Sequence, residues 1–534
     1  IKSSIGYNTL ASKDLNLVPG AANDPSLGIA QGFSDHTSGL TQTWIAEPQI
    51  EYQRKVGRGS LTALFGSTFQ QTTRSSESFR ASGYTNDALL ENIASAAKLS
   101  TIFSSFTDYK YNALFGRVNY NIAGKYLFNL TARRDGSSRF GPAKQFSNFG
   151  AIGAAWIFSE DFFKGSSIVS YGKLRSSFGI TGSDQIPDYG YLDSYSASQY
   201  PYQGKSGLIP TRLANPDYGW EKTTKAEVAV DLGFFNDRVG LSAAYYRNES
   251  SNQLVGLALP RITGFSSVQY NLPATVRNTG VELVFRSTNI SSGGFTWNTS
   301  ASLTVPRNKL VSYPGIELSP SRNTWEVGKP LNMTKTLHYT GVDPATGIYT
   351  YQDLNSNGNG TDLPADLKAT RKLGQNYYGA ITNSIQYRGF ELTFMFQIVN
   401  QTGRNFLASL TAFSIPGATT NQPVEVMNRW QKPGDITNVQ KFTIDTPGYD
   451  AYLAASYSDN LIVDASFVKL KNASLSYQFP EKLIRPLKLQ TVRIYLQGQN
   501  LATFTKFVGL DPEFAIPTNL PPLRIVTGGI QISI

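Results

Sequence analysis

Apolar and polar residues alternate with a period of two along most of this chain. Phe295, Trp297, Thr299, Ala301, Leu303 and Val305 alternate with Thr296, Asn298, Ser300, Ser302 and Thr304. Phe390, Leu392, Phe394, Phe396 and Ile398 do the same against Glu391, Thr393, Met395 and Gln397, and the final segment sets Ile530, Ile532 and Ile534 against Gly529, Gln531 and Ser533. Successive side chains of a strand point to opposite faces, so this is the pattern of strands with one apolar face. It predicts about 16 strands, near residues 2–16, 40–55, 59–80, 105–122, 124–135, 147–159, 168–181, 221–235, 238–256, 275–290, 294–312, 376–387, 389–401, 461–479, 489–503 and 522–534.

The links between these strands alternate in length. Val56-Gly57-Arg58, Ile122-Ala123-Gly124, Phe235-Asn236-Asp237-Arg238, Ser291-Ser292-Gly293 and Tyr387-Arg388-Gly389 are tight; 17–39, 81–104, 182–220, 257–274, 313–375, 402–460 and 504–521 are long. A soluble sandwich has no reason to keep every second connection long. An outer-membrane barrel has one, with short periplasmic turns and long extracellular loops. The fold class expected is therefore all-β, a transmembrane antiparallel β-barrel. Its last strand follows a long loop and ends on the periplasmic side.

Composition supports two unlike faces. Charged residues make up 16% of the 534 and hydrophobic residues 40%, against a usual charged share of about 25% in soluble domains. No run approaches the ~20 apolar residues of a membrane helix. The absence of Cys excludes disulfide scaffolds and thiolate sites, and two His, His36 and His338, leave little for His-based catalysis. The 48 Lys+Arg against 38 Asp+Glu give +10, but the cations are scattered singly, which argues against nucleic acid. The chain opens Ile1-Lys2-Ser3-Ser4, already in strand-like alternation with no signal peptide. The expectation is one large unit over 1–534 that begins partway through a fold.

Specific motifs then appear in order. Arg133-Arg134-Asp135-Gly136-Ser137-Ser138-Arg139-Phe140-Gly141 is followed by Phe149 through Trp156, Ser159-Glu160-Asp161-Phe162-Phe163, Lys173 to Gly182, and Asn215-Pro216-Asp217-Tyr218-Gly219-Trp220-Glu221. Later come Asn278-Thr279-Gly280-Val281-Glu282, Asp343-Pro344-Ala345-Thr346-Gly347, Phe467-Val468-Lys469-Leu470-Lys471-Asn472 and Gly509-Leu510-Asp511-Pro512-Glu513. This series resembles the SusC/RagA-type TonB-dependent outer-membrane transporters of Bacteroidetes. The resemblance implies a barrel of ~22 strands with a plug, so the plug, a signal peptide and roughly six strands are expected upstream of Ile1. It also implies import of oligosaccharides or peptides, a SusD-like surface lipoprotein over the loops, and TonB with ExbB and ExbD acting through the missing N-terminal region. No catalysis is expected. Two rivals stand beside it: a passive porin-like channel closed by these strands alone, and a secreted carbohydrate-active β protein.

Candidate chemistry is confined to loops. Asp353, Asn355, Asn357 and Gly358 match the start of an EF-hand-type calcium loop, with Asp362 as a further ligand, but position twelve is Pro364 where a bidentate Glu belongs. The alternative is a polar Asn/Gly turn, and no cofactor is required. His36 is expected in a loop, without the Gly-x-Ser-x-Gly elbow a hydrolase needs. Tyr195, Tyr200, Tyr202 and Trp325 are loop aromatics suited to stacking on sugars or peptides, or to capping the barrel. Arg134, Asp135, Gly136, Ser137, Ser138, Arg139, Phe140 and Gly141 are read as structural, the charges of Arg133–Arg139 pairing around Asp135.

Overall fold

The computed structural model describes residues 1–22, 24, 31–198, 200, 202–406, 415–419, 421–514 and 519–533; Ile534, the end of the last alternating segment, lies outside them. Contacts divide the chain into two compact units, Ile1–Ala154 with Ser177–Lys225 and Ser250–Pro273, and Ala155–Ser176 with Ala226–Glu249 and Ala274–Ile534.

In the first unit, β1 (Lys2–Val18), β2 (Phe33–Val56), β3 (Gly59–Ser82), β4 (Lys98–Ile122) and β5 (Tyr126–Ser137) pair antiparallel in chain order. Next in chain order come β6 (Phe146–Trp156), β7 (Val169–Ser183), a loop hairpin of β8 (Ser194–Ala197) and β9 (Leu208–Arg212), β10 (Glu221–Phe234), β11 (Val239–Ser251) and a second hairpin of β12 (Gln253–Ala258) and β13 (Ser267–Leu272). The two hairpins and most of β6 belong to the first unit, β7 is divided between the units, and most of β10 and β11 belongs to the second.

In the second unit, β14 (Thr275–Ser292) pairs with β15 (Phe295–Ser312). The next long connection carries β16 (Met333–Thr336), the hairpin of β17 (Tyr339–Val342) and β18 (Tyr349–Tyr351), and β19 (Ala369–Lys372), which pairs with β16. β20 (Gly374–Tyr387) pairs with β15 and with β21 (Phe390–Arg404). β22 (Ile462–Asp464) and β23 (Phe467–Gln478) pair with successive stretches of β21, and β24 (Thr491–Thr505) and β25 (Ile525–Ser533) complete the ladder. Among the described residues, seventeen strands belong to the long ladders; with β22 and β23 sharing one passage, this agrees with the about 16 passages that the alternation predicts.

Register reveals an inverted partition of polarity. In the first unit Tyr52, Ala63, Val118 and Leu130 align across β2 to β5, and Tyr52, Val118 and Leu130 are exposed. On the opposite face Gln53, Thr62, Asn119 and Asn129 align, and Thr68, Thr72 and Ser78 are buried. In the second unit Trp297, Ile385, Leu392, Leu475 and Leu496 form one row over five strands, while the neighbouring row is Thr296, Gln386, Glu391, Ser476 and Tyr495. A sheet in water hides the leucines and wets the threonines. A lipid-facing sheet does the reverse, because hydrocarbon favours apolar side chains and requires every backbone group to be paired.

The tight turns follow from local backbone chemistry. Gly293 and Gly294 both take positive φ (60° and 80°) between β14 and β15, the geometry of a two-residue hairpin whose twist suits its strands. The buried apolar clusters lie beneath long loops instead: Phe140, Ile186, Tyr218 and Trp220 in the first unit, and Tyr349, Ile415, Ala451 and Tyr452 in the second.

Several expectations are corrected. β2 starts at Phe33 and β4 at Lys98, earlier than expected, because residues 33–39 and 98–104 lack clean alternation. His36 therefore sits in a strand, its Nε2 3.0 Å from Ser34 Oγ. The strand expected over 238–256 breaks at Asn252, whose φ is +62°. The loop 402–460 includes a helix, Thr446–Ala455, capped by Asp445 accepting the Gly448 N–H at 2.8 Å.

Candidate functional site

The arginine-rich motif closes the end of β5 onto a long loop. Arg133 pairs with Asp135, donates to the Tyr111 hydroxyl, and lies 5.5 Å over the Phe115 ring. Arg134 instead reaches Asn148 Oδ1 at 3.3 Å and covers Phe146. Arg139 donates to Asp188 at 2.8 Å and to the Asp184 carbonyl at 3.0 Å, with Tyr109 beneath its guanidinium. Ser137 Oγ donates to Asp184 at 2.7 Å, and Ser138 Oγ accepts the Lys110 N–H at 2.9 Å. The motif's charges thus do not all gather on Asp135: only Arg133 does, while Arg139 bonds to the loop carboxylate Asp188. An ion pair with its remaining bonding sites filled holds its geometry.

Phe140, fully buried, inserts from this turn between Tyr218 (centroids 6.2 Å) and Trp220 (5.1 Å). Burial pushes the Tyr218 phenol up to about 12. Gly136 and Gly141 leave no room for a side chain, a Cβ at Gly141 falling 2.7 Å from the Pro216 carbonyl. From this anchored base projects the hairpin of β8 and β9. It carries Tyr195 (57% exposed), Tyr200 (86%) and Tyr202 (79%), so three of the four candidate stacking residues share one exposed projection. Trp325 differs: it is half-buried against Tyr313, centroids 6.5 Å apart.

In the second unit the segment 353–366 is a turn bonded to itself. Asp353 accepts the Gly358 and Ser356 N–H groups at 2.7 Å each, which hold its carboxyl below the usual range. Asp362 accepts the Asn357 and Asn359 side-chain amides. Asp366, fully buried, accepts the N–H groups of Leu354, Asn355 and Asp362 at 2.9–3.2 Å. A calcium cage needs six or more oxygens converging on one point. Here amide donors face Asp362, and among the described residues no group of three or more His, Cys, Asp and Glu converges as metal ligands. This arrangement does not fit calcium, and Asp353, Asn355, Asn357 and Asp362 serve the turn's own geometry.

Two further clusters escaped the sequence reading. Asp459 accepts from His338 Nδ1 (2.8 Å), Arg371 (2.7 Å) and the Tyr339 N–H (2.9 Å). Burial works against its charged form, yet these partners hold the carboxyl below its usual range. Lys469, 1% exposed, lies 2.9 Å from Asp511 and 2.7 Å from Glu513, and Lys471 lies 2.8 Å from Glu513. This clasp holds the segment 506–514 against β23, and Gln401 adds a 2.6 Å bond to the Pro512 carbonyl. Both lysines and both acids stand in motifs visible in the sequence; only their meeting was not.

The long ladders thus carry exposed apolar rows beside polar ones, and the motif residues tie the loops to them. Residues 2–501 match the family described as TonB dependent receptor-like, beta-barrel. The chain belongs to this family. It is 29% identical over 504 residues to TonB-dependent receptor P3 of Formosa agariphila, covering 89% of this chain and 49% of that protein. To TonB-dependent receptor SusC of Bacteroides thetaiotaomicron it is 27% identical over 497 residues, covering 87% and 47%. The chain spans about half the length of these curated relatives. The structure of the RagAB peptide transporter superposes with a TM-score of 0.88 at 23% identity, over 99% of this chain and 59% of that one, a likeness of fold. The TonB-dependent receptor β-barrel family expected from the motifs is the one found, and the all-β antiparallel class with it; SusC is among the similar proteins. This is an outer-membrane family of receptors and transporters, not of enzymes.

Proposed function

We propose that the chain forms the barrel wall and outer loops of a TonB-dependent importer of oligosaccharides or peptides. A SusD-like lipoprotein covers the long loops, and TonB with ExbB and ExbD acts through a plug supplied by the rest of the protein. The observation that carries this reading is the family match along 2–501 on strands whose apolar rows are exposed. Uptake in this scheme breaks no covalent bond and needs no cofactor. The loops select by contact, with Tyr195, Tyr200 and Tyr202 offering exposed rings to stack on a sugar or side chain, and Trp325 stiffening its own loop against Tyr313.

The test is deletion of the gene followed by growth on defined oligosaccharides and on peptides as sole carbon source. Loss of growth on one class is expected, restored by the intact gene but not by a version lacking its TonB-contacting segment. Unchanged growth on every substrate would overturn the reading, and rescue by the TonB-uncoupled version would make the protein a passive channel.

A further inference from the structure

Within the first unit, the exposed apolar face carries two cations where it turns polar. Residues two apart share a face of a strand. Along β4, Val118 and Leu114 are thus followed on one face by Asn112 and Lys110, and along β5, Leu130 is followed by Arg134. Register sets Arg134 beside Leu114, Gly136 beside Asn112, and Trp44, Gln71 and Lys110 in one row. Between the two cations lies a groove of about 450 Å³ walled by Trp44, Phe69 and Phe146 and lined by Asn112 and Lys110. Arg134 flanks it, with its guanidinium 5.3 Å over the Phe146 ring. Gly136 keeps the groove open, because a Cβ there would fall 2.5 Å from the Phe146 ring and 2.6 Å from Asn112 Oδ1.

The cations have charge to spare. Arg133 and Arg139 pair with Asp135 and Asp188, but Arg134 is exposed and makes no ion pair among the described residues; its polar contact is Asn148 Oδ1 at 3.3 Å. Lys110 lies 3.3 Å from Asp108, yet its side chain is 64% exposed. Asp108 is the one carboxylate against two cations on this part of the face, and it is shared with the Gln71 amide at 2.8 Å. The groove also stands at a particular height. Trp44, Phe69, Lys110 and Arg134 are twelve, ten, twelve and eight residues from the tight-turn ends of their strands. A tilted strand crosses the hydrocarbon in ~9–11 residues, so these side chains stand where hydrocarbon would give way to headgroups on the long-loop side.

We propose that this groove holds the phosphate headgroup of an anionic membrane lipid, whose acyl chains lie along the apolar row below it. Lys110 and Arg134 are four residues apart along the ladder, about 13 Å at ~3.3 Å per residue, and their long side chains reach toward a group between them. There a phosphate meets an ammonium, a guanidinium and the Asn112 amide, while Trp44, Phe69 and Phe146 flank the glycerol and the first methylenes. A zwitterionic headgroup fits less well, because its own ammonium competes with the two cations. A long cationic side chain at such a height also reaches polar surroundings by itself, but that alone selects no lipid. The proposal rests on the outer-membrane reading of this chain, and its test separates the two.

The experiment reads quenching of Trp44 in the full-length protein, reconstituted in phosphatidylcholine vesicles. These contain, at matched mole fractions, either phosphatidic acid or phosphatidylcholine brominated high in the acyl chain. The Trp44 signal is the difference between the parent and Trp44→Phe, which removes the other tryptophans from the reading. Brominated phosphatidic acid is expected to quench at a several-fold lower mole fraction than brominated phosphatidylcholine. Lys110→Gln and Arg134→Gln should each cut that preference about fivefold, the scale of one cation near a lipid surface. Arg134→Lys should keep most of it, and Asp108→Asn, which frees Lys110, should raise it. Equal quenching by both lipids, or an undiminished preference in both glutamine variants, would overturn the proposal and leave the wall in lipid. Quenching by neither lipid would overturn the membrane reading of this face and the proposal with it.

Discussion

Lys469 is a buried ammonium whose two carboxylates lie 42 and 44 residues away. Breaking a buried pair by removing one partner typically costs about 3–5 kcal/mol, because the other charge is left uncompensated. Lys471, 27% exposed, has water as a substitute and should matter less. Lys469→Met is therefore expected to expose the segment 506–514 to protease at neutral pH, and Lys471→Met to do so weakly; equal cleavage in both would refute the clasp. The same cluster sets a pH limit. Burial alone would raise the Glu513 carboxyl, but the Lys469 and Lys471 ammoniums outweigh it and hold it below its usual value. A carboxyl depressed in the folded state adds stability above its unfolded pKa of about 4.3, and that stability is lost as pH falls through the lower folded value. Protease resistance of 506–514 should thus stay constant from about pH 5 to pH 8 and fall only below about pH 4. At this scale the sequence displayed the residue types but not their partners: Arg139 reaches Asp188 rather than Asp135, and nothing local distinguishes those acids.

Among elements, the strands were the legible part, because a period of two is printed directly in the residues. Where they were misread, a local device intervened. Asn252 turns the backbone left-handed and ends β11, and the strand expected over 461–479 breaks at Ala465–Ser466, where Asp464 accepts the Ser466 N–H. Within β23, Lys471 is an extra residue in the β21–β23 register, between Leu470 opposite Phe396 and Asn472 opposite Met395. Bulges of this kind re-aim side chains near functional ends of strands. The two faces of β23 give a direct test. Leu475 lies in the exposed apolar row with Leu392 and Leu496, and Ser474 is on the other face. Arg on a lipid face costs about 2–4 kcal/mol near the midplane, whereas a lumen position tolerates it. Leu475→Arg should lower folding yield into lipid vesicles, read by the heat-modifiable gel shift, while Ser474→Arg leaves it near the parent's. The reverse order would invert the assignment of faces.

For the whole molecule, the alternation of tight turns and long loops carries a prediction of sidedness. An epitope inserted at Gly358, in the connection between β15 and β20, should bind antibody on intact cells. One inserted at the Gly293–Gly294 turn should bind only after the outer membrane is permeabilised. Labelling of both sites on intact cells would contradict the topology. By itself the sequence determined the strand passages, the apolar rows and the family, since alternation, turn length and motif order are all written locally. Only the tertiary structure decided that Phe140 is clamped by Tyr218 and Trp220, that Lys469 meets Asp511, and that Asp459 gathers His338 and Arg371. Those contacts depend on how long loops close, and closure entropy changes so slowly with loop length that chain spacing leaves the partners open until packing chooses them.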